Sequence, residues 1–439
     1  MASLNESLFN TPSAKRALKL HEARIAAATK ARKDRGLDTN FERQLATATC
    51  LENTRRQIKV VEGMMAGATQ PSNIGQYKRF AMDMVASLMP NLIAPDVVSV
   101  QALENRVGMI NVLSYAYGSD KGGVKNGQVF SSPMAYEGMD QEYTSSSVTV
   151  TVTAEDLNEG KYFPDWTPVL HAFNMTTGTA LEVKEDENGN TYFEGLTDGQ
   201  KILYVYDNET VPVKSPTLKL DIKSMPVTTK SRKLSAVWSF DAQYELQKEY
   251  GQDLQKMMAA QAVAEMQQEI DNEITTDLYK IANGGQEIVW SRTQPHGVSM
   301  IDHYDSFYAE IVAGSNRIYG ATRRAHANFM ICGLGVASVL QVMRNFDSAN
   351  DSTSVGPHYI GSLPGIKVYV NPWYGENDFV LGYKGPNLMD AGYVYAPYMP
   401  ILTTGMITLA DDFAGREGWA TTYGKKTINP RLYLRGHII

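Results

Sequence analysis

A periodic run over residues 252–283 constrains this chain more than any other feature. Val263, Met266, Ile270, Ile274, Leu278 and Ile281 recur at steps of three and four, which draws one apolar stripe along a single helix. Asp241 is expected to cap a first piece, "AQYELQKEY", Gly251 interrupts, and Asn-Gly-Gly at 283–285 ends the run. About 30 helical residues at 1.5 Å each make a rod of roughly 45 Å. Such a rod suits a structural strut better than the wall of a small catalytic pocket.

The segments around the rod differ in kind. "SSSVTVTVTAEDL" alternates strictly, as a half-buried strand does, and "ALEVKEDENGNTYFEGL" reads as a hairpin in which Asn188-Gly189 supply positive φ angles. With "GQKILYVYDNETVPV" they suggest a small β-sandwich or barrel over 145–214, set inside a longer excursion that returns through "LKLDIKSMPVTTKSRKLSAVWSF". Upstream, 11–35 and 38–59 read as two helices with too few large apolar residues for a core of their own, so they must pack on something else. Beyond 285 the pattern is mixed: helices over about 304–319 and 336–346, and strands at "NFMICG", "IKVYVNP" and "DFVLGYKG".

Length and composition narrow the class. At 439 residues the chain exceeds one compact core, and 43% hydrophobic with 20% charged residues excludes wholesale disorder. Apolar runs stop well short of a membrane span, and "MASLNESLFN" lacks the layout of an export signal. Two distant cysteines, Cys50 and Cys332, give no disulfide framework. Residues 1–62 carry 12 Lys/Arg against 7 Asp/Glu, a net of +5, so the rest of this −7 chain holds −12. A basic arm on an acidic body points to an acidic partner, protein or nucleic acid, or to a solvated face with none.

Chemistry-bearing motifs are thin. Seven histidines are scattered, and there is no HExxH, CxxC, GxSxG or Walker A pattern. The strongest enzyme-like signal is Gly333-Leu334-Gly335, between a strand and a helix as in a dinucleotide-binding turn. Ser338 stands where the third small residue belongs, and a strand–helix corner needs glycines for backbone reasons alone. The acid clusters at 185–187 and 411–412 sit in a hairpin turn and a probable loop.

Four collinear stretches carry a resemblance. "LGYKGPNLMDAGYVYAPY" (381–398), "PNLIAPDVVSVQAL" (90–103), "KSRKLSAVWSFDAQYELQKEYGQD" (230–253) and "TTYGKKTINP" (421–430) resemble, in order, segments of the major capsid proteins of T-even-type tailed bacteriophages. The arm and the 130–215 unit match poorly in detail. The resemblance implies an α+β, Hong-Kong-97-like capsid fold: an N-terminal helical arm (1–79) and a peripheral domain starting at 80–107. An extended loop (108–240) would carry an all-β insertion domain at about 140–215. A spine helix (241–285), an axial domain (286–396) and a return to the peripheral domain (397–439) would follow.

Several residue roles follow from the resemblance. Tyr383, Lys384, Gly385, Pro386, Asp390 and Tyr395 are expected axial-domain assembly residues, with Gly385-Pro386 a rigid turn and Tyr393 and Tyr398 packing the same sheet. Lys15, Arg16, Lys19, Arg24, Lys30, Arg32, Lys33 and Arg35 are expected to face a neighbour, a scaffold protein or packaged double-stranded DNA. The family's maturation protease cuts after Glu in a Leu/Ile-x-Glu context. Glu62-Gly63 sits at a suitable place but follows two valines, and the better match, Leu157–Gly160, falls inside the β unit, so the arm is expected to be retained.

The implied function is a self-assembling hexameric subunit of an icosahedral virion head, made in the host bacterial cytoplasm beside vertex, portal and scaffold proteins. No enzyme activity, cofactor, metal or membrane is implied. The alternatives are a pentameric vertex paralogue, a nanocompartment shell, or a nucleotide-binding enzyme using Gly333 and Gly335.

Overall fold

The computed structural model describes residues 12–33, 40–65, 82–89, 91–118, 126–127, 129–131, 145–165, 169–207, 217–322, 325–349, 356–385, 391–404, 406–409 and 414–439. These form two compact units, one of Met1–Val112 with Ser224–Ile439 and one of Leu113–Lys223. Both helices and sheets contribute, and the fold class is α+β.

The long helix runs Leu254–Ile281. Asp253 caps it, its carboxylate accepting from the Gln255 N–H at 3.1 Å, and Ala259, Val263, Met266, Ile270, Ile274 and Leu278 are buried along one stripe. The shorter helix before it, Phe240–Tyr250, is capped by Ser239 and not by Asp241. Ser239 holds the extended φ −76, ψ 152 of a cap and accepts from Ala242 N at 3.3 Å, which leaves Asp241 in the first turn, where its charge meets the helix dipole. Gly251 closes that helix in the left-handed conformation, φ 64.

The stripe packs on a five-stranded sheet ordered Ser99–Val100, Tyr393–Thr403, Ala414–Thr427, Lys230–Ser239, with Ile407–Leu409 also pairing Ala414–Thr427. Ser99 pairs Val394 in parallel, whereas Tyr393↔Thr427 and Leu234↔Trp419 are antiparallel. Tyr393 and Tyr395 therefore lie in this sheet and not, as expected, with the strand at 378–382. Both rings bury towards the long helix, where the Tyr393 hydroxyl donates to Asp277 at 2.9 Å.

A seven-stranded sheet forms the second half of this unit. Its order is Ile288–Trp290, Tyr433–Ile438, Asp378–Gly382, Phe329–Cys332, Ile366–Val370, His358–Leu363, Asp347–Ser348. The all-apolar Phe329–Cys332 is buried at every position, as a central strand covered on both faces must be. Helices Met300–Thr322 and Leu334–Leu340 supply Phe307, Ile311, Val336 and Leu340 to its core. The last strand, Tyr433–Ile438, lies here, two places from Phe329–Cys332, and does not follow Ala414–Thr427 into the five-stranded sheet.

Among the described residues the arm forms helices Pro12–Leu20, Glu22–Lys33 and Phe41–Met65, with a turn at His21 dividing the helix expected over 11–35. Ala48, Cys50, Leu51 and Ile58 are fully or almost fully buried and join the core of the long helix.

The unit Leu113–Lys223 holds two four-stranded sheets over one small core. Ser145–Thr151, Lys201–Asp207, Val169–Asn174 and Thr179–Leu181 form one; Leu157–Asn158, Lys161–Tyr162, Thr191–Glu194 and Lys184–Glu185 form the other. Tyr162 stacks on Phe193 at 6.3 Å, and Phe193 meets Tyr204 at 6.2 Å. In the 184–194 hairpin only Gly189 takes a positive φ, 80°. Asn188 is spared because the Asp186 carboxylate accepts the N–H groups of Asn188 and Asn190 at 2.9 and 2.8 Å. At Leu157–Gly160, Glu159 (φ 50) and Gly160 (φ 78) form the tight turn between two paired strands.

Candidate functional site

The Gly333-Leu334-Gly335 turn is filled by its own chain. A Cβ on Gly333 would stand 2.0 Å from the Gly375 carbonyl oxygen, and one on Gly335 2.7 Å from that of Glu376. Gly333 N donates to Asp378 O at 2.9 Å and Val336 N to Glu376 O at 3.1 Å. The backbone of 375–378 thus occupies the place a pyrophosphate would take. Among the described residues no group of three or more His, Cys, Asp or Glu could hold a metal ion, and no helix is long and apolar enough to cross a membrane. The histidines serve separate packing roles: His303 stacks on Trp290 at 4.8 Å, His326 on Tyr319 at 4.6 Å, and His437 pairs Asp378 at 2.6 Å.

What the chain concentrates instead is a buried polar junction at Asn91–Val98. Asp96 accepts from Arg32 and, at 3.2 Å, from Arg43; Arg43 also donates to Leu92 O at 3.0 Å. From the long helix, the fully buried Asp271 accepts the N–H groups of Ile93 (3.1 Å) and Ala94 (2.9 Å), and Gln267 donates to Asn91 O at 2.9 Å. Lys384 donates its ammonium to Pro95 O, while its backbone is clasped by Asn328, which accepts at 2.9 Å and donates at 2.7 Å.

Burial controls the charges of the junction. It pushes the Asp271 carboxyl up to about 7, against the pull of the two backbone N–H groups and Arg43, and brings Arg43 down to about 10 despite Asp96. It also lowers Lys384, an effect that Glu42 and Asp96 oppose. The junction joins the arm, the long helix and the ends of two inner strands of the seven-stranded sheet, Asp378–Gly382 and Phe329–Cys332. Its members come from residues 32, 43, 96, 271 and 384, so no local motif marks it. The nearest signal is Asp271 with Thr275, four apart on the flank of the Ile270/Ile274 stripe.

The predicted residues divide accordingly. Lys384 belongs to the junction and Tyr383 packs against the long-helix core; Gly385 is buried, and Pro386 and Asp390 lie outside the described residues. Tyr395, fully buried, turns inward and presents nothing to a neighbour. Of the arm cations, Arg32 is committed to Asp96 and Arg24 pairs Asp83 at 3.3 Å. Lys15, Arg16, Lys19, Lys30 and Lys33 are exposed, and Arg35 is outside the described residues. The Glu62–Gly63 peptide lies in the last turns of Phe41–Met65, with its side chains outside the described set.

Surface that sequence reasoning missed is apolar. Helix Phe240–Tyr250 buries none of its residues, leaving Phe240, Tyr244 and Tyr250 exposed at 46%, 63% and 72%. On the strands of the excursion, Met109, Leu220 and Ile222 are likewise exposed. Apolar side chains left exposed along an element in a single chain are suited to burying surface against another.

A chain with an internal locking junction, no filled or formed chemical site among its described residues, and well-formed elements left bare is built to associate. It belongs to the major capsid protein Gp23 family, whose model matches residues 74–435. Among its relatives, the major capsid protein of Enterobacteria phage T4 is 26% identical over 433 aligned positions, covering 84% of this chain and 78% of that one. That of Serratia phage KSP90 is 25% identical over 377, covering 80% and 77%. A solved structure described as the capsid of Myoviridae phage XM1 is similar over 70% of this chain and 90% of its own, at 8% identity and a TM-score of 0.35.

Proposed function

We propose that this chain is the hexamer-forming subunit of a tailed-phage head, a Hong-Kong-97-like shell enclosing double-stranded DNA, and that it carries no catalytic activity. The bare helix Phe240–Tyr250 is the observation that carries the reading. It is capped at both ends by Ser239 and Gly251, hence well formed, yet it buries none of its residues, and only Gln243, which accepts from Trp238 at 3.3 Å, and Leu246 are partly covered. In this reading Leu254–Ile281 is the peripheral-domain spine, the seven-stranded sheet builds the axial domain, and Leu113–Lys223 is the insertion on the extended loop. Assembly takes place in the host bacterium, with portal, vertex and scaffold proteins as further partners.

The arm is retained in this reading. Its helix Phe41–Met65 gives Leu51 and Ile58 to the main core, and Asn53 donates to Leu103 O at 2.8 Å and Tyr398 O at 2.9 Å. Cutting at Glu62-Gly63 and losing the arm would open that core. Virion protein whose N-terminus reads Gly63 would overturn retention.

Velocity sedimentation with negative-stain microscopy of the chain expressed alone tests the main reading. Hexamers, tubes or shells are the expected result; pentamers would favour the vertex role, and a monomer at every concentration would sink the self-assembly claim.

A further inference from the structure

The arm contains an open groove with a defined chemistry. It has a volume of about 740 Å³ and is lined by Lys15 and Lys19 on helix Pro12–Leu20 and by Lys30 and Lys33 on helix Glu22–Lys33, with Leu18 and Ile25 among its apolar members. Glu22 is the one acid among its described lining residues. The four lysines are exposed, and Ile25 is buried beneath them. The groove therefore has an apolar base and cationic walls, the complement of an amphipathic acidic helix.

The chain carries such a helix. In Phe240–Tyr250, Asp241, Glu245 and Glu249 fall four apart and form one acidic row; Phe240 and Tyr244, also four apart, form an exposed aromatic row directly beside it. Residues four apart on a helix rise by about 6 Å, the same step that separates Lys15 from Lys19. The lone cation of the helix, Lys248, lies over the Tyr244 ring at 5.5 Å. No residue of this helix is buried in the single chain and the groove stands open, so the two are not docked within one molecule.

We infer that helix Phe240–Tyr250 of one copy docks into the lysine-walled groove of a second copy. Its acidic row lies against Lys15, Lys19, Lys30 and Lys33, and its aromatic row covers Leu18 and Ile25. The contact is heterologous, groove to helix, so it propagates from copy to copy and closes into a ring or continues as an open filament. It gives a partner to the basic arm and to the bare helix at once. The inference rests on the self-assembly reading but names a particular pair of surfaces, and so it can fail separately.

Cysteine pairing between copies provides the test. Native Cys50 and Cys332 are buried and will not interfere. A mixture of Lys19→Cys chains with Glu245→Cys chains is expected to give a mixed disulfide at least tenfold above either same-variant dimer. Raising the salt into the molar range, where the screening length falls to about 3 Å, should reduce it. Charge reversal supplies the second arm. Lys15→Glu with Lys30→Glu should abolish the mixed disulfide, Glu245→Lys with Glu249→Lys should weaken assembly equally, and combining both reversals in one chain should restore assembly.

Wild-type oligomers without the mixed disulfide, or reversals that fail to rescue one another, would overturn this pairing while leaving self-assembly intact. A mixed disulfide in a chain that never forms hexamers would keep the pairing and sink the hexamer reading. Retention of a duplex DNA oligonucleotide by the wild type, lost with the lysine reversals while the mixed disulfide stays absent, would give the groove to DNA and overturn the proposal.

Discussion

The Leu113–Lys223 unit and the Asn91–Val98 junction hold together by opposite means. The first uses neighbours in sequence: strands joined by tight turns at Glu159-Gly160 and Gly189, over a core of Tyr162, Phe193, Ile202 and Tyr204. The second uses polar and charged groups brought from residues 32, 43, 96, 271 and 384, set where the arm, the long helix and the ends of two inner sheet strands meet. Apolar local cores are replaceable piece by piece, because each contact is roughly proportional to the area buried. A buried ionic junction is all or nothing, because removing one partner strands the others away from water.

Removing the shared acceptor tests the second statement most severely. Asp96→Ala leaves Arg32 and Arg43 buried without their carboxylate and should destabilise the larger unit by about 3–5 kcal/mol. In thermal unfolding, the larger unit should melt early and the arm should become sensitive to protease, with the Leu113–Lys223 unit unmoved. Equal loss in both units would mean that the junction does not act where the structure puts it.

The reciprocal change is Phe193→Ala, which empties the centre of the small core and should cost about 3–5 kcal/mol there. Phe193 is fully buried between Tyr162 and Tyr204. Hydrogen exchange should report faster opening confined to 145–207, while amides of the 254–281 helix keep their protection. Loss of protection in both regions would show that the units are one cooperative body.

This difference also explains what was legible in the sequence. The long helix could be read to within two residues at each end because its stripe and its terminal Asp253 are local facts. The alternation of Ser145–Thr151 was equally plain, since Val148 and Val150 face the core opposite Tyr204 and Ile202. Small errors came from side chains competing for one job: Ser239 outbids Asp241 for the cap, and Asp186 relieves Asn188 of its strained turn. The larger one came from topology. Nothing local shows that the chain leaves the seven-stranded sheet after Gly382 and inserts Tyr393–Thr403 between Ser99–Val100 and Ala414–Thr427. In sequence Arg32 is one more arm cation and Lys384 one residue of an aromatic-rich stretch. Their partners, Asp96 for Arg32 and Pro95 for Lys384, lie 64 and 289 residues away in sequence, so no spacing rule could pair them.

The junction also predicts a pH dependence. Burial disfavours the charge of Asp271 and raises its carboxyl in the folded state to about 7, against an ordinary value of 3.8. Between these values the folded state binds more protons than the unfolded state. The contribution of this group to stability is therefore fully present below about pH 4 and falls as pH rises towards 7, at up to about 1.4 kcal/mol per unit. The neighbours Arg43 and Asp96 pull in opposite directions and do not reverse the sign. Asp271→Asn, which keeps one oxygen to accept from Ile93 and Ala94, should flatten the melting temperature of the larger unit between pH 5 and 7. An unchanged slope in the variant would mean that another group carries it.

The smallest effect, and the sharpest in sign, concerns two tyrosines on one face of the strand Tyr393–Thr403. Tyr393 donates its hydroxyl to Asp277 at 2.9 Å. The Tyr395 hydroxyl is fully buried and makes no hydrogen bond among the described residues, and burial holds its phenol well above the usual range. The Tyr395 ring is retained in phenylalanine and keeps its contact with Tyr423 at 5.5 Å. Tyr393→Phe should therefore cost about 0.5–1.5 kcal/mol, the net value of one bond, whereas Tyr395→Phe removes an unpaid desolvation and should be neutral or stabilising by up to about 1 kcal/mol. Denaturant unfolding of both variants side by side reads the difference directly. If Tyr395→Phe instead costs as much as its neighbour, the hydroxyl has a partner beyond the described residues, such as an enclosed water. The polar logic of the junction would then extend into the apolar core beside it.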